Sequence, residues 1–276
     1  IPDIITKSGA RLIEIGTTNI TTLDDYKASL EHNPALILKI HRSNFDISGF
    51  TEEIGIKTLV ELGKSHNIPV INDLGSGVFI DTAEFAPITE PTVQSSVSAG
   101  AALTCFSGDK LLGGVQAGLI VGEREMIEKL KKNPIYRALR VDKIVFSAME
   151  ELLGYYLNGS WKENIKLWQL AGVKEAELYE KGKALLKKIG AGDRIILEGS
   201  QGGMGGGSLP ELPLPSVAFV FRSALSPQKI AALFRMAEPP VIGRVTKESF
   251  IIDLKAIDDN DAKLLVSIIK NLIPQL

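Results

Sequence analysis

The stretch Ser107-Gly-Asp-Lys-Leu-Leu-Gly-Gly-Val-Gln-Ala-Gly118 decides the fold, together with Ile71-Asn-Asp-Leu-Gly-Ser-Gly77 upstream of it. Each stretch follows or contains an apolar run typical of a buried strand, at 68–72 and at 101–106. Asp73 and Lys110 are therefore predicted at the carboxyl ends of two strands. Open α/β sheets bind their ligands at this edge, so the two side chains are candidates for a shared site.

The chemistry of this pair favours a pyridoxal phosphate site. A lysine amine that can lose its proton forms a Schiff base with the coenzyme aldehyde, the role predicted for Lys110. The coenzyme withdraws electrons only while its ring nitrogen stays protonated, which requires a carboxylate such as Asp73. Ser107 is a candidate donor to the coenzyme phosphate, with Gly108 allowing close approach. The alternative is a surface lysine and a turn-closing aspartate, and the conjunction of both motifs favours the coenzyme.

Composition excludes several classes of protein. The 276 residues are 45% hydrophobic and 23% charged with a net charge of −2, without the basic excess of most nucleic-acid binders. The one cysteine, Cys105, excludes internal disulfides and favours a reducing compartment, so we expect a cytoplasmic protein. No apolar stretch reaches membrane length, so no membrane partner is expected. His32, His41 and His66 lack metal-ligand spacing, so no metal is predicted.

Alternating strand and helix patterns predict an α/β fold with a mostly parallel sheet, followed by a smaller α+β domain. The predicted domains are a large catalytic domain at 1–142, connecting helices at 143–188 and a small domain at 189–276. A glycine-dense stretch at 199–210 is interpreted either as a mobile loop or as a linker. Strands are predicted at 35–40, 69–72, 101–106, 117–121, 216–221, 240–245 and 249–254, and helices at 51–66, 123–132, 143–157, 163–188, 227–236 and 258–272.

Further motifs extend the pattern along nearly the whole chain. They are Ile1-Pro-Asp-Ile4, Glu14-Ile-Gly-Thr-Thr-Asn19, Lys39-Ile-His-Arg-Ser-Asn44, Gly49-Phe-Thr51, Arg137-Ala-Leu-Arg-Val-Asp-Lys143, Gly206-Gly-Ser-Leu-Pro210 and Pro240-Val-Ile-Gly-Arg244. With the lysine loop, they resemble the bacterial selenocysteine synthases, the L-seryl-tRNA(Sec) selenium transferases among the fold-type I pyridoxal phosphate enzymes. The lysine loop alone would suit several related families, whereas the loop with the two arginines of 137–143 is more specific.

The resemblance implies a β-replacement reaction. Seryl-tRNA(Sec) would be dehydrated to a dehydroalanyl intermediate, to which selenium from selenophosphate adds. Arg137 and Arg140, three apart on a predicted helical turn, would hold the selenophosphate, because guanidinium forks match such anions. The alternative is a pair of surface arginines on a basic turn with Lys131 and Lys132. The resemblance also implies a homo-oligomer.

Three other residues receive roles on the same ground. Asp109, beside the lysine, would assist proton transfer or orient an arginine, or it is a plain turn residue. Asn44 follows its own predicted strand, where fold-type I enzymes often place an amide against the phenolic oxygen of the coenzyme. Arg244 lies where related aminotransferases bind a substrate carboxylate; here that group is an ester, so Arg244 would instead contact the tRNA end.

The sequence departs from the family at its beginning. Fold-type I enzymes bind the coenzyme phosphate with a Gly/Ser-rich turn that opens a helix, and no such turn precedes Asp73. We therefore expect an N-terminally truncated large domain and an inactive fragment, in which coenzyme binding is weak or absent. Two alternatives remain open: a pyridoxal phosphate-dependent ammonia lyase acting on a small amino acid or sugar acid, and a non-catalytic oligomerising core.

Overall fold

The computed structural model describes residues 2–42, 45, 47–85, 90–204 and 214–276, which form two compact units. Of the described residues, the first unit takes in those within 2–82 and 90–156, and the second takes in 83–85, 157–204 and 214–276. No helix in the described part of the chain is long and apolar enough to span a bilayer.

The first unit contains a four-stranded sheet in the order β1-β2-β3-β4. Its strands are β1 (Ile37–Ile40), β2 (Val70–Gly75), β3 (Leu103–Ser107) and β4 (Gly118–Gly122). Its helices are α1 (Pro2–Lys7), α2 (Leu23–Ser29), α3 (Ile56–His66), α4 (Val93–Ser98), α5 (Arg124–Lys132), α6 (Pro134–Leu139) and α7 (Lys143–Leu157). β1, β2 and β3 are parallel, and β4 is antiparallel to β3. The predicted α/β class with a mostly parallel sheet is confirmed.

The two faces of this sheet differ in burial. Side chains alternate along β2, so that Val70, Asn72 and Leu74 are buried while Ile71 and Asp73 are half-buried on the other face. On the buried face, the Asn72 amide donates to Ser96 Oγ of α4 at 2.8 Å, and that hydroxyl lies 2.8 Å from the hydroxyl of Thr104. Asp73 therefore lies on the less covered face.

Helix α3 begins five residues later than predicted. Gly55 is its N-cap and has an extended backbone, so the helix starts at Ile56 and not at Thr51. Glu52 lies outside the helix in an isolated bridge with Ile20, and Glu53 is likewise not in its first turn. The predicted start of this helix at residue 51 is therefore wrong.

The second unit is an antiparallel sheet of order β5-β6-β8-β7 packed against helices. Its strands are β5 (Ile195–Gly202), β6 (Leu214–Phe221), β7 (Arg244–Val245) and β8 (Phe250–Asp253), and its helices are α8 (Trp161–Asn164), α9 (Lys166–Gly172), α10 (Glu175–Ile189), α11 (Pro227–Arg235) and α12 (Asp259–Leu272). Phe221, Phe234 and Phe250 form an aromatic cluster at its centre, with ring centroids 5.0–5.5 Å apart. This is the predicted α+β arrangement.

Two predicted elements of the second unit are shorter in the structure. The helix predicted at 163–188 is divided into α8, α9 and α10, because Ile165 and Val173 adopt extended backbone angles. The strand predicted at 240–245 is reduced to β7, since only Arg244 and Val245 pair with β8. Pro240 lacks the N–H that a ladder requires.

Candidate active site at the ends of two parallel strands

Lys110 lies in a compact turn between β3 and β4. Three backbone hydrogen bonds close the turn: Gly108 N to Ala117 O at 2.8 Å, Gly114 N to Gly108 O at 2.8 Å, and Gly113 N to Lys110 O at 2.9 Å. The Lys110 side chain is half-buried. The turn therefore fixes the backbone that carries the amine.

Buried leucines anchor this turn on its C-terminal side. Leu111 and Leu112 are 1% and 0% exposed, and Tyr156 of α7 donates its hydroxyl to Leu112 O at 2.8 Å. A Cβ on Gly114 would lie 2.5 Å from Leu152 Cδ2, also in α7. Helix α7 thus packs directly against the lysine turn, and glycine at 114 permits that approach.

The loop after β2 interlocks with the lysine turn. Leu111 N donates to Ser76 O at 2.9 Å. Gly77 has φ of +70°, and a Cβ on it would lie 2.5 Å from Ser107 O. The two loops predicted to share a site therefore touch each other. β2 itself runs two residues past Asp73, with an irregularity in register between Asp73 and Gly75.

The carboxylate of Asp73 faces the same side of the sheet as Cys105. The two residues are partners in the parallel register of β2 and β3. Burial raises the pKa of the Cys105 thiol to about 11, and the negative charge of Asp73 contributes to the same shift. An amine on one loop and a carboxylate on the neighbouring strand are the donor set that a pyridoxal phosphate requires, so the residues present fit this coenzyme in type.

The remaining residues predicted around the coenzyme are placed as follows. Ser107 is the last residue of β3 and is half-buried, Gly108 is buried, and Asp109 is exposed. Asn44 lies outside the described residues, as does the motif at 206–210. Ser107, Gly108 and Asp109 directly precede Lys110 in the sequence, so they lie at the start of the lysine turn.

Arg137 and Arg140 are both exposed. Helix α6 begins at the Asn133 cap, whose side chain accepts from Ile135 N at 2.9 Å, and it ends at Leu139. Arg140 is the C-cap with an extended backbone, φ −62° and ψ 124°. The two arginines therefore do not share a helical turn, and that part of the prediction was wrong. Within the described residues, neither guanidinium has a recorded ion pair.

Arg244 belongs to the second unit and is held there. Its Nη2 donates to Asp253 Oδ2 at 2.9 Å and its Nη1 to Gln201 O at 2.8 Å. The side chain is 51% exposed. It borders a cavity of about 360 Å³ in that unit.

Sequence reasoning missed two acidic residues that hold predicted site elements. Glu90, whose side chain is 4% exposed, places Oε1 3.1 Å from His41 Nε2, and His41 N donates to Asp73 O at 2.8 Å. Asp253 holds Arg244 in the same manner. The first pair spans 49 positions of sequence, so no local pattern could have indicated it.

Comparisons with known proteins agree with this architecture. A solved structure of D-glucosaminate-6-phosphate ammonia-lyase matches over 99% of this chain and 67% of its own, with a TM-score of 0.67 and 18% identity. At that identity the likeness shows the fold alone, the α/β class of the fold-type I enzymes.

Sequence comparisons are more specific. The L-seryl-tRNA(Sec) selenium transferase of Aquifex aeolicus is 41% identical over 99% of this chain, and that of Alkaliphilus metalliredigens is 40% identical over 98%. The chain spans 61% and 59% of the length of these relatives. The family model for SelA, L-seryl-tRNA selenium transferase, matches residues 1–258. With this match over most of its length, the chain belongs to the L-seryl-tRNA selenium transferase family.

Proposed function

We propose that this chain is the catalytic part of a pyridoxal phosphate-dependent enzyme that converts seryl-tRNA(Sec) to selenocysteinyl-tRNA(Sec) with selenophosphate as selenium donor. The observation that supports the proposal is the contact between the loop after β2, the strand that carries Asp73, and the lysine turn, which follows the neighbouring parallel strand β3. The family match and the names of its relatives support the choice of substrates.

The residues divide the work by chemistry. Lys110 holds the coenzyme, Asp73 faces its ring nitrogen, and Ser107 with Gly108 lies towards its phosphate. The bound coenzyme supplies the electron withdrawal that lets serine lose its α-proton and then its hydroxyl. Asn44 is proposed at the phenolic oxygen, although it lies outside the described residues. Asp109 is exposed beside Lys110, where it can pass a proton to or from the amine.

Arg137 and Arg140 are proposed as the selenophosphate site. Both are exposed and lie close in sequence to α5, whose last turn carries three lysines, so this surface is positive and favours an anion. Arg140 has an extended backbone whereas Arg137 is helical, so the two guanidinium groups can bind one anion from different directions. A tetrahedral anion such as selenophosphate can accept hydrogen bonds from two guanidinium groups at once. Arg244 is proposed to bind the aminoacylated tRNA.

The assembly and location follow the same reasoning. A homo-oligomer in the cytoplasm is proposed, supported by the exposed apolar side chains of 135–146 and by the single reduced cysteine. Ile135, Leu139 and Ile144 are 62%, 74% and 75% exposed. Sedimentation should show the oligomer, and charged substitutions at these three positions should dissociate it.

Coenzyme absorbance tests the central claim. Adding pyridoxal phosphate to the full-length protein should produce a visible absorbance band that borohydride removes, and Lys110→Ala should abolish it. The control Lys129→Ala changes an amine on α5 and should leave the band intact. In the full-length enzyme, Asp73→Asn should reduce turnover more than coenzyme binding. A band that persists in Lys110→Ala would refute the assignment.

Substrate assays separate selenium transfer from the ammonia-lyase alternative. The double variant Arg137→Ala/Arg140→Ala should raise the selenophosphate concentration needed for half-maximal rate by about tenfold or more while the coenzyme band stays unchanged. Lys131→Ala/Lys132→Ala removes the same charge from α5 and should have a smaller effect. A protein that shows the coenzyme band and releases ammonia from a small amino acid, without converting seryl-tRNA(Sec), would be a lyase. A protein with neither activity nor band would be a non-catalytic core.

A further inference from the structure

The carboxylate of Asp253, the last residue of β8, is saturated with hydrogen bonds. Its Oδ1 accepts from Ser216 Oγ at 2.5 Å and from Lys255 N at 3.1 Å, and its Oδ2 accepts from Ser200 Oγ at 2.8 Å and from Arg244 Nη2 at 2.9 Å. The side chain is 12% exposed. A carboxylate offers about four acceptor positions, so Asp253 has none left for a ligand. Its effect must pass through the groups that it holds.

Arg244 is the group through which Asp253 can act on a ligand. Its guanidinium is fixed on one side by Asp253 and on another by Gln201 O. A guanidinium carries five N–H donors in a rigid fork, so these two bonds leave three donors on a side chain that is half exposed. A fork held in one orientation presents a prepared site for a phosphate oxygen.

The cavity beside Arg244 is lined by both apolar and charged side chains. The apolar ones include Leu167, Leu170, Met204, Ile242 and Ile257, and the charged ones are Arg244, Asp253 and Lys255. The Lys255 amine donates to Val173 O at 2.6 Å and to Ala171 O at 3.4 Å, at the end of α9. Since these carbonyls take up the Lys255 amine, Arg244 is the cation of the lining that keeps donors for an anionic ligand.

We propose that this cavity binds the 3′-terminal nucleotide of the RNA substrate, and that Asp253 is the positioning residue that orients Arg244 towards its phosphate. The volume of about 360 Å³ lies at the lower end of small-molecule sites and admits one nucleotide, not a duplex. Apolar walls accommodate the base, and the fork accepts the phosphate. The choice of RNA rests on the proposed function; the oriented arginine and the cavity do not.

Two hairpin RNAs test the proposal. Both carry the acceptor stem of the tRNA, and one lacks the 3′-terminal nucleotide; their affinities for the coenzyme-free protein are measured by fluorescence anisotropy. The complete RNA should bind about tenfold more tightly, and Arg244→Gln and Asp253→Asn should each remove most of that preference. The double variant should lose no more than either single variant, because Asp253 acts through Arg244. Asp259→Asn, which breaks an ion pair with Lys181 in the same unit, should keep the preference.

Several results would overturn the proposal. Losses that add in the double variant would make Asp253 a separate structural residue, and equal losses for both RNAs would exclude the terminal nucleotide. Inorganic phosphate is added as a competitor. If phosphate that saturates Arg244 weakens binding of the complete RNA to the affinity of the shortened RNA, then Arg244 binds a free phosphate compound and not the RNA terminus. If Asp253→Asn is unfolded by circular dichroism, Arg244→Lys decides, since a charge without a fork should lose the preference.

The proposed function and this inference can fail separately. Lys110→Ala should abolish the coenzyme band and leave the RNA preference unchanged. A protein without the band that still prefers the complete RNA would refute the coenzyme role of Lys110 and keep the nucleotide site. A protein that shows the coenzyme band but no preference for the complete RNA would support the coenzyme role of Lys110 and refute the nucleotide site.

Discussion

The charge of Asp73 can be measured through its neighbour Cys105. Burial and the negative charge of Asp73 together raise the pKa of the thiol from 9.0 to about 11, and burial is the larger cause. Asp73 therefore contributes less than half of the rise, under about one pH unit, or less than about tenfold in thiolate. At pH 8 only about one thiol in a thousand is ionised. Asp73→Asn should therefore raise the alkylation rate, by less than about tenfold.

The assay is the rate of iodoacetamide labelling of the coenzyme-free protein, followed by mass spectrometry. The sequence has a single cysteine, so every label reports Cys105. Asp24→Asn removes an equal charge from the same unit at a carboxylate that is 88% exposed and paired with Lys27, and it should leave the rate unchanged. An unchanged rate in Asp73→Asn, with circular dichroism unaltered, would show that the Asp73 charge does not act at this face of the sheet and would weaken its assignment to the ring nitrogen.

Two further predictions concern stability and are checked by urea unfolding. Gly77→Ala should lower the free energy of unfolding by about 2 kcal/mol or more, because φ is +70° and the new Cβ would lie 2.5 Å from Ser107 O. As a control, Gly154→Ala in α7 meets open space and should raise the free energy of unfolding by about 0.5–1 kcal/mol. A Gly77→Ala variant as stable as the wild type would contradict the contact between the two loops. Asp258→Ala should cost about 1 kcal/mol, because the side chain caps α12 at Asn260 N, and an unchanged midpoint would show that the cap is dispensable.

Much of the fold could be predicted because its signals are local. Apolar runs mark β2 and β3, and the small polar residues after them mark the strand ends. The sequence predicts helix α7 with the observed bounds Lys143–Leu157, and it predicts α12 at 258–272, one residue longer than observed. Parallel pairing then brings Asp73 and Lys110 to one edge, since carboxyl ends of parallel strands meet there. This rule places Asp73 and Lys110, whereas the role of Asn44 came from the family resemblance.

Errors arose where backbone angles at single residues decide the structure. Gly55 adopts an extended conformation that delays α3, and Ile165 and Val173 interrupt what hydrophobic periodicity presents as one helix. Arg140 leaves α6 although it is three residues from Arg137. Hydrophobic periodicity indicates which side chains can lie on one face of a helix. It cannot show that a single residue with an extended backbone separates two helical segments.

The residues missed by sequence reasoning have a common physical character. Glu90 and Asp253 are acidic side chains, 4% and 12% exposed, that hold a histidine and an arginine contributed by other strands. Burying a carboxylate is costly unless it is paired, so each must be explained by the groups it fixes. A residue that carries chemistry must sit at a strand end and leaves a motif there, whereas a residue that orients another needs only spatial proximity. Substitutions at such orienting residues should therefore change affinity or rate through their partners, which is why the double variant of Asp253 and Arg244 is the decisive measurement.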